Sequence, residues 1–337
     1  MKSSTKILIT GAAGFIGSHL VELLLEQGEP LSRLKLFIPN NESLGNLPDR
    51  KFDIVRGDIR DKQAVKKATE GVDAVYHLAA RIDFDGKTYQ DYKDVNVDGT
   101  WNLLDACKKN NLQKFVFFSS IGVFGMPADV GDIEGWNESH PKTYSNYYGQ
   151  SKWEGEKVVM QAFEKWNIPY AIVRPASVYG PREKGPTLGL YKTIKNNQFM
   201  IIGNGKNLMH YVFVKDLVKG ARLAQLSKQK KGDYILAGPQ PTPFKEVAGC
   251  VAESIGKTLL GINIPKSIAL PVSYVLDAMG KVVGVKSPLF PSRVRTMTTT
   301  YYYDIHKAKN EIRYDPQIDF CKGAEITGKW YQQNGWI

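Results

Sequence analysis

Cysteine is scarce in this chain, with three among 337 residues: Cys107, Cys250 and Cys321. No two of them form a C-x-x-C pair, so we expect neither a zinc ribbon nor a disulfide framework, and no metal site. Widely spaced thiols of this kind are typical of reduced cysteines in a cytoplasmic protein. The opening residues, MKSSTKILIT, lead into a strand pattern and lack the apolar stretch of a signal peptide.

Acidic residues are fewer than basic ones: the chain has 34 Asp plus Glu and 45 Lys plus Arg, which gives a net charge of +11. Such an excess attracts anionic ligands or an anionic membrane surface. The basic residues are scattered, however, and their densest cluster, KQKKG at 228–232, is typical of a solvated turn. No nucleic-acid-binding motif accompanies them. We therefore expect a small-molecule substrate and no nucleic-acid partner.

Long uninterrupted apolar runs are also missing. The rather apolar segment 262–285 is interrupted by Pro265, Lys266, Pro271, Asp277 and Lys281, which excludes a bilayer span there. We expect a pair of core or pocket-lining helices in this segment. A helix lying on a membrane surface is the less favoured alternative.

What the sequence does contain is an alternation of short apolar runs with helical patterns, in a composition of 42% apolar and 23% charged residues that excludes disorder as the main state. Predicted strands lie at 7–10, 34–38, 53–55, 74–78, 115–118 and 170–173, and predicted helices at 16–27, 62–70, 88–110 and 147–166. Strands this apolar are buried on both faces, which indicates a parallel sheet flanked by helices. The fold class is therefore α/β, a Rossmann-type doubly wound sheet.

The rhythm loosens after Pro181, where proline and glycine become frequent. We predict a dinucleotide-binding domain over 1–181 and a smaller mixed lobe over 182–337 that binds substrate. Elements at about 203–230 are expected to return to the first domain.

The run GAAGFIG at 11–17 follows the first strand and opens the first helix. Gly11 permits the tight turn, Gly14 lets the backbone approach a pyrophosphate, and Gly17 lets helix and strand pack closely. The helix that begins at Phe15 and Ile16 then offers free N–H groups and the positive end of its dipole. This spacing, GxxGxxG, predicts a dinucleotide phosphate site.

Further cofactor positions lie at the ends of the third and fourth strands and on the next helix. The carboxylate of Asp58 can accept from an adenine amino group, although Asp58 could instead cap the helix that starts near Lys62. Asn96 could pin the neighbouring strand or face solvent. The small or apolar residues that let a cofactor approach these strand ends are Ile59, Leu78, Ala79 and Ala80.

The end of the second strand, FIPNN at 37–41, carries neither determinant of cofactor choice. Sites that prefer NAD place Asp or Glu there to bind the ribose 2′-OH, and sites that prefer NADP place Arg nearby. The sequence therefore leaves NAD and NADP both open.

Tyr148 and Lys152 stand at positions i and i+4 of a predicted helix, so their side chains share one face. A phenol is a poor base at neutral pH because its pKa is about 10, and a nearby ammonium stabilises the phenolate and lowers that pKa. The pair can then move a proton on or off a substrate oxygen. Ser119 and Ser120 end the fifth strand, where a hydroxyl can hold the same oxygen, although serines there also suit an ordinary turn.

The motifs GAAGFIG, RGDIRD, YHLAA, NVDGTWNLLDA, FFSSIGVFG, YYGQSK and VRPASVYGP occur in an order that resembles the extended short-chain dehydrogenase/reductase family over nearly the whole chain. The resemblance implies that Tyr148 is the acid/base. It implies that Lys152 orients the nicotinamide ribose and tunes Tyr148, and that Ser120 polarises the substrate oxygen. Pro175 would lie beside the nicotinamide. The same resemblance implies NAD or NADP as cofactor.

The second half is similar to the 3β-hydroxysteroid dehydrogenase group of that family, through IGNGKN at 202–207, YVFVKDL at 211–217 and YDIHKAK at 303–309. Nucleotide-sugar epimerases usually carry Arg where Met209 stands, to meet the diphosphate. They often carry Asn where Ser177 stands. Both departures count against a sugar-diphosphate ligand.

Three hypotheses follow. The favoured one is an NAD(P)-dependent oxidoreductase that interconverts a secondary alcohol and a ketone, on an apolar substrate of sterol or isoprenoid type. The alternative is a nucleotide-sugar epimerase or dehydratase that keeps NAD tightly bound. The third is a non-catalytic dinucleotide-binding sensor. The resemblance further implies a homodimer formed through the helices predicted at 88–110 and 147–166.

Overall fold

The predicted doubly wound sheet is confirmed by the computed structural model, which describes residues 5–82, 88–126, 135–259, 261–284 and 290–337. Seven strands, all paired in parallel, form one sheet in the order β11-β6-β5-β4-β1-β2-β3. Those strands are β1 (Ile7–Thr10), β2 (Leu34–Ile38), β3 (Asp53–Arg56), β4 (Ala74–His77), β5 (Lys114–Phe118), β6 (Tyr170–Pro175) and β11 (Lys231–Leu236).

Six shorter strands pair outside this sheet: β7 (Ser177–Tyr179) with β10 (Tyr211–Phe213), β9 (Leu208–Met209) with β12 (Thr242–Pro243), and β8 (Ile201–Ile202) with β13 (Asn263–Ile264). The helices are α1 (Phe15–Glu26), α2 (Lys62–Thr69), α3 (Tyr89–Tyr92), α4 (Gly99–Cys107), α5 (Tyr147–Trp166), α6 (Pro186–Lys195), α7 (Val214–Leu226), α8 (Phe244–Ser254), α9 (Lys266–Val283), α10 (Pro291–Thr298), α11 (His306–Ile312) and α12 (Phe320–Gln333). Short 3₁₀ turns span Leu31–Arg33 and Ile121–Phe124, and Lys93–Asp98 is π-helical.

Two apolar layers hold the sheet between its helices. One face packs against α1, α7 and α11, and the other packs against α2, α4 and α5. β1, β2, β4 and β5 are buried at every position, which explains why apolar residues dominate their sequences. The helix predicted at 88–110 consists of α3, the π-helical segment and α4, and it ends at Cys107.

The strand order reverses between β1 and β4, so the crevice at the carboxyl ends of these strands is the expected ligand site of such a sheet. Gly11 follows β1, Leu78 follows β4 and Ser119 follows β5 at this edge. After Pro175 the chain leaves the seven-stranded sheet, and it returns as α7, which packs on α1, and as β11, which pairs with β6. The returning part therefore extends to Leu236, beyond the 203–230 expected from sequence.

The prediction of three reduced thiols is wrong for two of them. Cys250 on α8 and Cys321 on α12 form a disulfide, because these two helices pack together and bring the Cα atoms to 5.0 Å, a separation that a disulfide spans. The two cysteines are 71 residues apart in sequence, and their spacing carries no signal of this pairing. Cys107 is a buried free thiol, and burial raises its pKa to about 12.

The segment at 262–285 also departs from expectation, apart from its last residue, which lies outside the described residues. One helix, α9, occupies most of it, and several of its large apolar side chains are exposed rather than part of a core. Its neighbour α10 reaches the main cavity through Thr296. In the described part of the chain, no helix is both long and apolar enough to cross a membrane.

Candidate active site

A cavity of about 1140 Å³ opens at the carboxyl edge of the sheet, across the point where the strand order reverses. Fourteen of the fifteen residues that the sequence singled out line it, and Asn96 does not. The fourteen are Gly11, Gly14, Phe15, Ile16, Gly17, Asp58, Ile59, Leu78, Ala79, Ala80, Ser120, Tyr148, Lys152 and Pro175.

The glycine run forms a tight turn that only small residues fit. Gly11 has a φ of 69°, and a Cβ on it would lie 2.9 Å from the backbone nitrogen of Ala79. A Cβ on Gly17 would lie 2.1 Å from the carbonyl oxygen of Gly11. Gly14 is the N-cap of α1 and has no side chain to offer its first turn, so the N–H groups there can meet an anionic ligand.

We expect Gly17→Ala to lower the free energy of unfolding by about 3 kcal/mol and to weaken NAD binding at least about tenfold, because the clash is with backbone that cannot move aside. Gly189→Ala in α6 is the matched control, since its Cβ meets nothing within 4 Å. Urea unfolding and NAD titration measure both effects. Wild-type values for Gly17→Ala would show that the turn has room for a side chain.

The alternative role of Asp58 as a helix cap is wrong. Asp61 caps α2 instead, accepting from the backbone N–H groups of Gln63 at 2.8 Å and Ala64 at 3.3 Å. Asp58 lines the cavity and pairs with Arg60, whose Nε and Nη2 lie 2.9 and 2.6 Å from its oxygens. The hydrogen bonds from Arg60 lower the pKa of Asp58, so its carboxylate stays ionised and able to accept.

The loop after β2 reaches the cavity through Asn40, Asn41 and Glu42. Arg56, at the end of β3, shapes this loop, because its Nη1 donates to the carbonyl oxygens of Pro39, Asn40 and Glu42 at 3.1, 2.9 and 3.2 Å. Glu42 was not predicted as a cofactor residue from the sequence, because the acid that selects NAD is expected directly at the end of β2. The acid stands four residues beyond Ile38, and the loop carries it back to the cavity.

Asn96 pins a strand end, one of the two roles that the sequence left open. It is buried in the π-helical segment, where its Oδ1 accepts from the Arg81 N–H at 2.7 Å and its Nδ2 donates to the Arg81 carbonyl at 3.0 Å. The same Nδ2 donates to the Ser151 hydroxyl at 2.9 Å. Asn96 therefore ties the chain beyond β4 to α5, next to Lys152.

Ser120, Tyr148 and Lys152 come together from two elements. Ser120 follows β5 and caps the 3₁₀ turn, accepting from the Gly122 N–H at 3.0 Å. Tyr148 lies in the first turn of α5, which Asn146 caps by accepting from the Gly149 N–H at 2.8 Å. The Ser120 hydroxyl lies near enough to the Tyr148 hydroxyl to lower the pKa of that phenol.

Burial is the largest influence on the pKa values of Tyr148 and Lys152. It raises the pKa of Tyr148 to about 12, against the opposing effect of the Ser120 hydrogen bond, and it lowers the pKa of Lys152 to about 7, against the opposing charge of Glu156. Lys152 donates to the Phe118 carbonyl at 2.7 Å and lies 6.0 Å from the Tyr148 ring centroid. The net effect is therefore opposite to the expected lowering: burial raises the pKa of Tyr148, and the phenol stays protonated at neutral pH.

A buried charge network behind the site was not anticipated from sequence. Glu156, one turn beyond Lys152 on α5, accepts from the Ser119 hydroxyl at 2.5 Å and from Nε and Nη2 of Arg174 at 2.8 and 2.7 Å. Arg174 also donates to Asp233 on β11 at 2.7 Å. The network joins β5, α5, β6 and β11, and it fixes the backbone just before Ser120.

The later half of the chain supplies one wall of the cavity. Among the described residues that line this wall, none has a charged side chain. Seven of the wall's residues come from β7 and the elements after it, and together they present hydroxyl, thioether, phenol and aliphatic groups. They are Ser177, Val178, Pro186, Thr187, Met209, Tyr211 and Thr296.

Comparison with known proteins gives one consistent family. A model of the NAD dependent epimerase/dehydratase family matches residues 7–237. A 3beta-hydroxysteroid-dehydrogenase/decarboxylase of Arabidopsis thaliana is 28% identical, covering 95% of this chain and 78% of that protein. A decarboxylating sterol-4-alpha-carboxylate 3-dehydrogenase of Mus musculus is 27% identical over 97% of this chain and 91% of its own length.

An epimerase is similar to the same degree. The N-acetyl-alpha-D-glucosaminyl-diphospho-ditrans,octacis-undecaprenol 4-epimerase of Escherichia coli O157:H7 is 28% identical, covering 89% of this chain and 88% of that protein. Among solved structures, the UDP-glucuronic acid 4-epimerase of Bacillus cereus in complex with NAD matches with a TM-score of 0.76 and 25% identity, over 98% of this chain and 99% of that one.

Proposed function

The chain belongs to the NAD-dependent epimerase/dehydratase family, and from that premise we propose that it interconverts a secondary alcohol and a ketone on an apolar substrate of sterol or isoprenoid type. Members of this family are enzymes that use NAD, and this chain is one of them. Its substrate is a small molecule. We also propose that residues 1–181 mainly hold the cofactor and that the later lobe mainly holds the substrate.

The residues at the carboxyl edge of the sheet fit NAD, since the turn at Gly11 and Gly17 leaves room only for backbone and exposes a helix N-terminus. When bound, NAD supplies the acceptor or donor of a hydride. We assign the pyrophosphate to 14–17, the adenine to Asp58 and Ile59, and the nicotinamide end to 78–80 and Pro175.

Proton transfer falls to Tyr148. In carbonyl reduction its neutral hydroxyl donates a proton to the substrate oxygen, and in alcohol oxidation the phenolate takes that proton back. We assign Ser120 to the same oxygen, because Ser120 lines the cavity beside Tyr148. The ammonium of Lys152 stabilises the phenolate that forms when the proton leaves.

This division of roles predicts a pH profile. Burial lowers the pKa of Lys152 to about 7, so its ammonium is present below that pH and is lost above it. Tyr148 keeps its proton throughout, because its pKa is raised to about 12. We expect kcat/KM for carbonyl reduction, measured from pH 5 to 9, to fall as the pH rises through about 7. A flat profile over this range would remove Lys152 from the proposed role.

The main support for an apolar substrate is the lack of charged side chains among the described residues, from the later half of the chain, that line the cavity. A nucleotide sugar brings a diphosphate that proteins meet with Arg or Lys, and Met209, Thr187 and Tyr211 offer neither. The relatives named as 3beta-hydroxysteroid and sterol-4-alpha-carboxylate dehydrogenases give further support.

The second candidate is an epimerase acting on a sugar diphosphate. The similar epimerase of Escherichia coli O157:H7 and the net charge of +11 favour it. An epimerase recycles its cofactor within each turnover, whereas a dehydrogenase exchanges it. The two candidates therefore differ in how they retain NAD.

The deciding experiment denatures freshly purified enzyme and identifies any dinucleotide that is released. We expect less than stoichiometric NAD, reversible binding of added NAD, and NAD-dependent oxidation of hydroxysterols or isoprenoid alcohols. Stoichiometric retained NAD together with specific binding of UDP would overturn the proposal in favour of the epimerase.

Cofactor preference gives another prediction. Glu42 lines the cavity beside the carboxyl end of β2, where a carboxylate favours the ribose 2′-OH of NAD and repels the 2′-phosphate of NADP. We expect Glu42→Gln to narrow the preference for NAD over NADP at least about tenfold. Asn41→Ala in the same loop is the control. An unchanged ratio of the two kcat/KM values in Glu42→Gln would remove Glu42 from cofactor selection.

We further propose a homodimer formed through α3, α4 and α5. The partly buried indole rings of Trp101 and Trp166 support it, because they form an aromatic pair, with centroids 5.0 Å apart, where α4 meets the end of α5. A monomeric mass in solution by light scattering would refute the dimer.

A further inference from the structure

Exposed apolar side chains are concentrated in one stretch of the later lobe. Fourteen large apolar or aromatic side chains are exposed among the described residues, and seven of them lie between positions 262 and 290. Scattered single residues of this kind are normal on a protein surface, but a contiguous group marks an interaction site.

The group is organised along α9. Ile268, Val272, Val275 and Met279 are 43–59% exposed, and their spacing of four, three and four residues places them in one stripe along the helix. The other exposed residues among the described side chains of α9 are Ser267, Pro271, Tyr274 and Ala278. None of these exposed side chains is charged. The opposite face packs against α10.

The surrounding charge is predominantly positive. Between 257 and 299 the sequence has six basic residues and one acid, Asp277. The basic residues are Lys257, Lys266, Lys281, Lys286, Arg293 and Arg295. Arg295 anchors the exposed face from α10, since its Nη2 donates to the Tyr274 hydroxyl at 3.0 Å. An apolar stripe framed by cations is complementary to a bilayer surface of anionic lipids.

We propose that α9 lies in the interface of an anionic membrane, with Ile268, Val272, Val275 and Met279 inserted among the lipid chains. The basic side chains of Lys266, Arg293 and Arg295 would then lie against the headgroups. A second copy of the chain fits this face less well, because two such surfaces would bring like charges together. α10 packs on α9 and contributes Thr296 to the cavity wall, so docking brings the substrate cavity close to the bilayer.

The test sediments the full-length enzyme, without substrate, with vesicles of 70% phosphatidylcholine and 30% phosphatidylglycerol. We expect binding that weakens at least tenfold in vesicles of phosphatidylcholine alone or in 0.5 M salt. The double variant Val275→Glu/Met279→Glu should lose binding at least tenfold. Leu226→Glu is the matched control, because Leu226 is 45% exposed at the end of α7, and it should bind like wild type.

Two outcomes would overturn the proposal: wild-type enzyme that stays in the supernatant with both vesicle types, or a double variant that binds as well as Leu226→Glu. Light scattering on the same variants identifies the rival occupant. A wild-type assembly that dissociates only in the double variant would assign the face to a second copy and likewise overturn membrane docking. Because no step requires turnover, these results are independent of the proposed reaction.

Discussion

Replacing Tyr148 by phenylalanine is expected to lower kcat at least about a hundredfold while leaving the affinity for NAD within about twofold. The substitution removes one oxygen and keeps the ring, so the cavity wall around it retains its shape. Ser120 and Lys152 remain, but neither can replace the phenol. The Ser120 alcohol is a weaker acid than a phenol, and the Lys152 ammonium donates to the Phe118 carbonyl.

Tyr147→Phe provides the matched control for this experiment. Tyr147 is the preceding residue on α5, is 50% exposed and does not line the cavity. Its ring contacts with Tyr89 and Tyr92 persist in phenylalanine. Steady-state kinetics and NAD titration of both variants separate loss of chemistry from loss of binding. If Tyr148→Phe kept the kcat of Tyr147→Phe, the proton would have to come from another group.

The sequence predicted those parts of the site that local patterns determine. The GAAGFIG turn, the small residues after β4 and the serines after β5 each follow a buried strand, and parallel strands place their carboxyl ends at one edge. The pairing of Tyr148 with Lys152 on one helix follows from helical periodicity alone. Fourteen of fifteen residues could therefore be brought to one cavity without coordinates.

Features that depend on distant contacts could not be predicted in this way. In the sequence, Glu156 has no feature that distinguishes it from other helix residues. Its role appears only in the fold, where β6 and β5 place Arg174 and Ser119 beside its carboxylate. Cys250 and Cys321 meet only because α8 packs on α12. Whether Asp58 caps α2 depends on where that helix begins, and a sequence pattern defines such a boundary only to within a few residues.

The α9 helix shows a related limit. An amphipathic pattern reveals that a helix has one apolar face, but it does not reveal whether that face meets the core. Among the described side chains of α9, Ala269 and Ser273 are buried, whereas Ile268 and Val275 are exposed. The small residues face the protein because α10 approaches closely there, which leaves the larger side chains outside.

The largest effect on stability is expected at Arg174. Its side chain is 3% exposed, and the side chain of its partner Glu156 is fully buried. Arg174→Met would leave the Glu156 carboxylate in the core without its bidentate partner, and breaking a buried pair in this way costs about 3–5 kcal/mol. Since whole domains are stabilised by roughly 5–15 kcal/mol, we expect a large fall in the urea midpoint, measured at pH 7.

Two further variants test whether the cost arises from the unpaired charge. Glu156→Gln/Arg174→Met removes both charges and should regain most of the lost stability, because a neutral amide is far less costly to bury than a lone carboxylate. Lys322→Met breaks the exposed pair with Glu325 and should shift the midpoint little. If the double variant were no more stable than Arg174→Met, lost packing around the guanidinium, which lies 5.5 Å from the Phe124 ring centroid, would explain the effect instead.

The double variant should still turn over slowly, because the Ser119 hydroxyl loses its ionised acceptor and the backbone that carries Ser120 is held less firmly.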